Sequence, residues 1–178
     1  MQAMNLRLLC SIQFQTILLL LVVLLHIKTL KILRVGRNNL SGSIPKELAS
    51  LSKLEFLAIS HNNLTAGIPP FIGNFSSLQL LAVAANKLSG LIPPSLYNLS
   101  SITDFHLCKN KLSGSLPTNL FLTLPHLQRF FIYETNLLDL FQSHYLMLQS
   151  YSVSKLTTTI LREKFQSILE ACTVWRNY

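Results

Sequence analysis

Apolar residues recur along the chain with a period of 24 to 25 residues. Segments of one pattern begin at Leu30, Leu54, Leu78 and Ile102, and a decayed fifth segment begins at Leu127. The first, fourth and sixth residues of each are mainly apolar. In the first four, Asn is the ninth residue and Pro the sixteenth. A fixed period of this length predicts an array in which each repeat is one structural unit and stacked neighbours share a core.

Each position that recurs from repeat to repeat predicts a local structure. The apolar fourth and sixth residues predict a short strand with these side chains in the core. The ninth-position asparagines are expected to satisfy backbone groups where the chain leaves the strand; they are Asn38, Asn62, Asn86 and Asn110. Glycines at the thirteenth position permit a turn; they are Gly42, Gly90 and Gly114. The second repeat has Ala66 there, with Gly67 beside it, so we expect its turn to differ slightly. Short helical segments at 46–51 and 94–99 are expected to close the coils on the convex side.

The two ends of the chain do not follow the repeat, and the chain divides into 1–29, 30–137 and 138–178. In the first segment, Ile17–Leu25 is a run of nine apolar residues. For residues 17–27 two interpretations stay open. The length fits the apolar region of a signal or anchor segment, although no small-x-small cleavage site follows. The spacing of Leu24, Ile27 and Leu30, which matches that of the next coil, fits instead a capping helix or the tail of an incomplete preceding coil. In the third segment, Thr159–Thr173 predicts an amphipathic helix. We interpret it as a cap over the last coil; a membrane-surface or partner helix, and a tail that packs poorly, are the alternatives.

Composition and charge narrow the classes of function. Only 12% of the residues are charged, about half the usual fraction, and 49% are hydrophobic. The net charge of +8 is concentrated in residues 1–53. Because no basic stripe interleaved with aromatics occurs in the middle of the chain, nucleic-acid binding is disfavoured. The three cysteines form no C-x-x-C pair, which favours unpaired thiols over a zinc site or a local disulfide framework. No cofactor and no metal are expected.

The pattern L-x-x-L-x-L-x-x-N-x-L-x-G-x-I-P resembles the plant-specific leucine-rich repeat, over about residues 30–135. This repeat occurs in receptor-like kinase ectodomains, receptor-like proteins and secreted inhibitors of polygalacturonases. The stretch Ser115–Leu127 is most similar to immune-type receptor-like kinases. The resemblance implies an α/β repeat: a short leucine-rich repeat solenoid with parallel strands on the concave face, short helices or 3-10 turns on the convex face, and helical extensions at both ends.

The chain departs from that family in three ways. It lacks the paired-cysteine cap that usually precedes the repeats, it has few repeats, and it contains no G-x-G-x-x-G, H-R-D or D-F-G motif. The kinase activity of relatives is therefore not carried over. These departures suggest a fragment of a receptor-like kinase ectodomain.

The resemblance implies a non-enzymatic module that recognises a protein or peptide, with a co-receptor as a further partner and a role in defence signalling. Its expected location is the secretory pathway, the plasma membrane or the apoplast, with membrane association through the N-terminal segment. A secreted polygalacturonase-inhibitor-like protein and a vestigial fragment without independent function are the alternatives. No catalytic constellation is present, since Asp104 is expected to stand alone on the concave face.

Residues between the core positions are expected to face the concave surface. This face is basic at its start, small in the middle and aromatic at its end, and Arg, Tyr and Phe are favoured interface anchors. The candidate ligand-binding residues are Arg34, Arg37, Ser60, His61, His106, Lys109, Phe131 and Tyr133. His106 and Cys108 lie two apart, but without a third ligand a metal site there is disfavoured. N-x-Ser/Thr sequons make Asn39, Asn63, Asn74 and Asn98 glycosylation candidates, with the last two favoured because they lie on the convex turns.

Overall fold

The computed structural model describes residues 3–5, 28–117, 119–132 and 135 of the chain. Short strands alternate there with single helical turns. The strands are β1 (Ala3–Asn5), β2 (Ile32–Arg34), β3 (Ser41–Gly42), β4 (Phe56–Ala58), β5 (Asn63–Leu64), β6 (Leu80–Ala82), β7 (Ser89–Leu91), β8 (Asp104–His106), β9 (Lys111–Ser113) and β10 (Arg129–Phe131). The 3-10 helices are η1 (Lys46–Ser50), η2 (Pro70–Asn74) and η3 (Pro94–Asn98), and the α-helix is α1 (Leu120–Thr123).

One parallel sheet runs through all the repeats, with the strand order β1-β2-β4-β6-β8-β10. The pairing keeps the repeat in register, so that Leu33 lies beside Leu57, Leu57 beside Leu81 and Leu81 beside Phe105. The predicted leucine-rich repeat solenoid, with parallel strands and short 3-10 turns, is confirmed. The strand β1, in which Met4 pairs with Leu33, was not predicted, because the residues around Met4 do not match the repeat motif.

A second set of short strands follows each turn away from the main sheet. β3 pairs with β5 and β7 pairs with β9, both in parallel. The helical turns come next, as predicted at 46–51 and 94–99. Each 3-10 helix begins after a proline, which is Pro45, Pro69 or Pro93, and the backbone of the first two is extended. Because proline fixes its own φ and biases its predecessor toward an extended conformation, the Ile-Pro pair brings the chain to each helical turn in a similar conformation.

The core is a set of stacked apolar ladders between the sheet and the helical turns. Leu54, Leu78 and Ile102 are fully buried, as are the central strand residues Leu57 and Leu81. The last two coils continue the central ladder with aromatic rings, since Phe105 and Phe130 pack with ring centroids 5.7 Å apart. The first, fourth and sixth positions of the repeat are therefore core positions, as the pattern predicts.

The ninth-position asparagines form the hydrogen-bonded ladder that the sequence predicts. Asn62 accepts a hydrogen bond from the Leu40 N–H at 3.1 Å and donates to the Val35 carbonyl at 3.1 Å, both in the preceding coil. Within its own coil it donates to the Ile59 carbonyl at 2.9 Å. Asn86 and Asn110 repeat this arrangement one coil further on each time. One side chain thus satisfies backbone groups of two coils at the bend.

The turn in the second repeat has the same left-handed backbone conformation as its neighbours, although the sequence led us to expect a slight difference. Ala66 has a φ of 62°, the same left-handed conformation as Gly42 at 86° and Gly90 at 79°. The stacking of neighbouring coils fixes this backbone conformation whether or not the residue is glycine.

The predicted helical extensions, the apolar run at 17–27 and the amphipathic stretch at 159–173, lie outside the described residues. Within the described ranges, no helix is long and apolar enough to cross a membrane.

Candidate functional site

The surface of the main sheet that faces away from the core is the candidate site, and we call it the sheet face. In β2, β4, β6, β8 and β10, one buried central residue separates two residues whose side chains emerge on this face. The first column is Ile32, Phe56, Leu80, Asp104 and Arg129. The second column is Arg34, Ala58, Ala82, His106 and Phe131. The sequence predicted the second column and missed most of the first.

Three half-buried apolar side chains lie side by side at the start of the first column: Ile32, Phe56 and Leu80. We call them the apolar ridge. They occupy a variable position of the repeat, which is why the motif did not reveal them. The signal that was available is the alternation of each strand, because a residue two before an outward-facing position also faces outward. The ridge offers a ligand a continuous row of apolar side chains.

Small residues fill the middle of the sheet face beside the ridge. Ala58, Ala82, Ser60 and Ala84 leave little side chain above the backbone, and they form what we call the trough. At its start, a Cβ on Gly36 would lie 3.0 Å from the carbonyl oxygen of Ser60, so the backbones of the first two coils approach closely there. A ligand lying along the trough would come close to the backbone of the sheet.

A charged group occupies the far end of the first column. Arg129 Nε donates a hydrogen bond to Asp104 Oδ1 across strands β10 and β8, and Thr103 donates to Asp104 Oδ2 at 2.8 Å. Asp104 is buried and Arg129 is largely exposed. Burial acts to raise the pKa of Asp104, but the hydrogen bonds from Arg129 and Thr103 and the charge of Arg129 together lower it. Among the described residues Asp104 is the one carboxylate on this face, but it is paired with Arg129, a residue of the column that the sequence missed.

His106 lies beside this pair. Its Nε2 is 3.7 Å from Asp104 Oδ1, beyond hydrogen-bonding distance, and this buried nitrogen has no hydrogen-bond partner among the described residues. The edge of the ring packs against Phe131, with centroids 4.7 Å apart. Burial lowers the pKa of His106 and outweighs the opposing effect of the Asp104 charge. The predicted candidates His106 and Phe131 are thus brought together.

Arg37, His61 and Lys109, which the sequence proposes as ligand-binding residues, follow the strands in left-handed turns with φ of 58°, 57° and 56°. Ala85, the corresponding residue of the third coil, has a φ of 53°. Their side chains border the trough on the side opposite the apolar ridge.

Exposed basic side chains line this border. Each ladder asparagine is flanked by two residues of the turn. Five of these flanking residues are basic: Arg37, His61, Lys87, Lys109 and Lys111. We call these five the basic rim. Within the described ranges the carboxylates are Glu47, Glu55 and Asp104, and all lie elsewhere. Glu55 pairs with Lys31 at 2.6 Å on the other side of the ridge. Among the described residues the rim therefore has basic side chains and no carboxylate.

The remaining predicted residues lie as follows. Arg34 is exposed at the start of the second column and Ser60 is half-buried in the trough, whereas Tyr133 lies outside the described residues. Of the sequon asparagines, Asn39, Asn74 and Asn98 are exposed and Asn63 is half-buried. Cys108, at the same repeat position as the trough residues Ser60 and Ala84, is buried. No described group of three His, Cys, Asp or Glu side chains could hold a metal ion.

Three of the repeats match the Leucine Rich Repeat family model, at residues 29–51, 53–75 and 77–99. No curated protein sequence matches the chain. Many solved structures do, and among them are ectodomains of plant receptor kinases. The chain therefore carries leucine-rich repeats and resembles a section of such an ectodomain.

Three of these structures illustrate the likeness. The ectodomain of GASSHO1/SCHENGEN3 from Arabidopsis thaliana, in complex with CASPARIAN STRIP INTEGRITY FACTOR 2, is 29% identical over 63% of this chain, with a TM-score of 0.61. A TDR receptor is 38% identical over 64% of the chain, also at 0.61. The Arabidopsis receptor kinase HAESA, in complex with the peptide hormone IDA and the co-receptor SERK1, is 33% identical over 60%, at 0.57. This chain spans 13%, 20% and 18% of the three proteins, respectively.

Proposed function

We propose that this chain is a non-enzymatic recognition module that binds a peptide or a protein segment on its sheet face. The single observation that carries the proposal is the apolar ridge. Ile32, Phe56 and Leu80 lie in register on three neighbouring strands, half-exposed, beside a trough of small side chains. Apolar side chains in a row on a sheet face, next to unobstructed backbone, suit an extended ligand better than a compact small molecule.

The likeness to receptor ectodomains supports the same proposal. Two of the similar structures contain a bound peptide hormone or a protein factor, and one of them also contains a co-receptor. By analogy, we propose that this chain functions in the extracellular or plasma-membrane environment. Because one of the similar structures contains a co-receptor beside the receptor, we include a co-receptor in the proposal.

The proposal is tested by selecting peptides from a random library of 12-residue sequences displayed on phage, with the purified full chain as the target. The selected peptides are then measured by fluorescence anisotropy against Leu80→Asp, which places a charge in the ridge. Leu91→Asp is the matched control, because Leu91 is 67% exposed on strand β7, away from the sheet face.

The expected result is binding that Leu80→Asp weakens by about tenfold or more, since burying an uncompensated carboxylate against an apolar ligand is costly. Leu91→Asp should leave the affinity unchanged. Selected peptides whose binding is indifferent to Leu80→Asp, or a library that yields no binder, would overturn the proposal.

A further inference from the structure

The sheet face has different chemistry on its two long sides. On one side of the trough stands the apolar ridge, Ile32, Phe56 and Leu80. On the other side stands the basic rim, in which Arg37, Lys87 and Lys111 are exposed. No ion-pair partner of these three is found among the described residues. Both sides run across the strands in the same direction, the ridge from the first coil to the third and the rim from the first coil to the fourth.

A ligand that follows this direction meets both sides at once. The residues of the trough lie on successive strands about 4.8 Å apart, so the four coils from Arg37 to Lys111 extend over roughly 14 Å. An extended peptide advances by about 3.3 Å per residue and sends alternate side chains to opposite sides. About four to five residues would fit over this length, with every second side chain toward the ridge and the others toward the rim.

We infer that the preferred ligand is an extended peptide segment in which apolar and acidic residues alternate. The inference rests on the proposed function and specifies the class of ligand for the same face. Apolar side chains would contact the ridge, and carboxylates would approach the ammonium and guanidinium groups of the rim. Charge complementarity favours an acidic segment, because the described carboxylates nearest the face are already paired, Glu55 with Lys31 and Asp104 with Arg129.

The left-handed turns give the rim a fixed base. The Arg37 N–H donates to the Ser60 carbonyl at 2.9 Å and the His61 N–H donates to the Ala84 carbonyl at 2.9 Å, so the rim backbone is hydrogen-bonded from coil to coil. Lys87 and Lys111 are held similarly, through the carbonyls of Leu64 and Leu88 at 2.8 and 2.7 Å. Only the side chains have to adjust when a ligand binds, which limits the entropy lost on binding.

Three capped eight-residue peptides test this ligand class. One alternates Val and Asp, one alternates Val and Lys, and one has the composition of the first but places four Val before four Asp. Each carries a fluorophore, and anisotropy is measured with the full chain at 25 mM and 300 mM NaCl. The alternating Val-Asp peptide should bind at least tenfold more tightly than the other two, and the added salt should weaken it several-fold.

Charge reversal locates the effect. Lys87→Glu combined with Lys111→Glu removes two rim cations, whereas Lys46→Glu combined with Lys53→Glu makes the same change in net charge at two exposed lysines away from the rim. Each exposed ion pair contributes about twofold to fivefold in affinity. The rim variant should therefore lose about tenfold in affinity, and the control variant less than about threefold. Circular dichroism melting of both variants checks that they fold.

Equal binding of the Val-Asp and Val-Lys peptides, equal effects of the two double variants, or no binding of the Val-Asp peptide would each overturn the inference. Peptides selected from the random library still test the proposed function by themselves. If those peptides bind in a Leu80-dependent way without preferring acidic residues, the proposed function stands and only the ligand class is wrong.

Discussion

Asn86 and Leu64 join two successive coils through one hydrogen bond: the Leu64 N–H donates to Asn86 Oδ1 at 3.0 Å. The same Asn86 side chain donates to the carbonyls of Ile59 at 3.2 Å and Val83 at 3.0 Å. Asn86 thus holds a backbone donor of the preceding coil and carbonyls of both coils. Because these groups lie at a bend, a neighbouring strand cannot satisfy all of them, and the side chain takes the place of a backbone partner.

Replacing this side chain should destabilise the whole array. Asn86→Ala leaves the Leu64 N–H without its acceptor, and a buried backbone group in that state costs about 1 to 3 kcal/mol. The carbonyls of Ile59 and Val83 keep their bonds to Asn62 and Asn110, so their loss is smaller. We expect the free energy of unfolding to fall by about 2 to 3 kcal/mol, measured by urea denaturation.

Asn39 provides the matched control for this measurement. It is an exposed asparagine in the turn after the first ladder residue, and Asn39→Ala should change the free energy of unfolding by less than about 0.5 kcal/mol. Similar losses from the two substitutions would show that the ladder hydrogen bonds do not determine stability.

The second repeat contains a strained residue that glycine would relieve. Ala66 adopts a left-handed φ of 62°, at a position where the neighbouring repeats have glycine. This conformation costs an alanine about 1 to 2 kcal/mol, while glycine loses about 0.5 to 1 kcal/mol more conformational freedom on folding. Ala66→Gly should therefore raise the free energy of unfolding by about 0.5 to 1 kcal/mol.

The reverse substitution one repeat later is the control. Gly90 has a φ of 79°, and no heavy atom lies within 4 Å of a Cβ placed there, so Gly90→Ala tests the backbone conformation alone. It should lower the midpoint of thermal unfolding, whereas Ala66→Gly should raise it. Shifts of the same sign in both variants would contradict this account.

The fold could be read from the sequence to the extent that its determinants repeat. The core positions, the asparagine ladder and the glycine turns recur with every coil, so each copy supports the assignment of the others. The turn at Ala66 was expected to differ because alanine disfavours a left-handed conformation. The stacking of neighbouring coils determines the backbone conformation there. The strand at Ala3–Asn5 was missed because no repeat motif marks it.

The candidate site was harder to predict, because ligand-facing residues vary between repeats by their nature. Phe56 and Leu80 occupy a variable position and appear as surface residues only when the strand alternation is applied to each coil. The Asp104–Arg129 pair spans 25 residues of sequence and requires the register of β8 and β10. The basic rim combines residues that precede a ladder asparagine with residues that follow one, and only the stacking of the coils places them along one border.

His106 should make the stability of the protein depend on pH. Its pKa is lowered by burial, so between the unfolded pKa of about 6.5 and the lower folded pKa, the unfolded chain binds more protons than the folded one. Stability is therefore full above about pH 7.5 and falls as the pH decreases through this interval. The pKa of Asp104 is also lowered, so the ionised Asp104 stabilises the folded state. This stabilisation is lost only at more acid pH, below about 4.

The measurement is the free energy of unfolding at pH 7.5 and pH 5 for the wild-type chain, His106→Gln and His61→Gln. His106→Gln should reduce the loss of stability between the two pH values, because glutamine does not titrate. His61 is exposed at the rim, and His61→Gln should leave the loss unchanged. An unaltered pH dependence in His106→Gln would show that this histidine is not its source.

Two of the four sequons should carry glycans if the chain enters the secretory pathway. Asn74 and Asn98 are exposed at the last residues of η2 and η3, where a large substituent meets solvent rather than the sheet face or the rim. Asn63 is half-buried, and its own N–H and that of Thr65 donate to the preceding coil at 2.7 and 2.9 Å, which leaves less room for a glycan.

Expressed in plant cells, the chain should run as a ladder of bands that peptide N-glycosidase collapses. Asn74→Gln and Asn98→Gln should each remove one step, and Asn63→Gln should remove none. A single band that the enzyme does not shift would contradict the secretory location itself, whereas a step lost in Asn63→Gln would contradict only the assignment of the glycans to the helical turns.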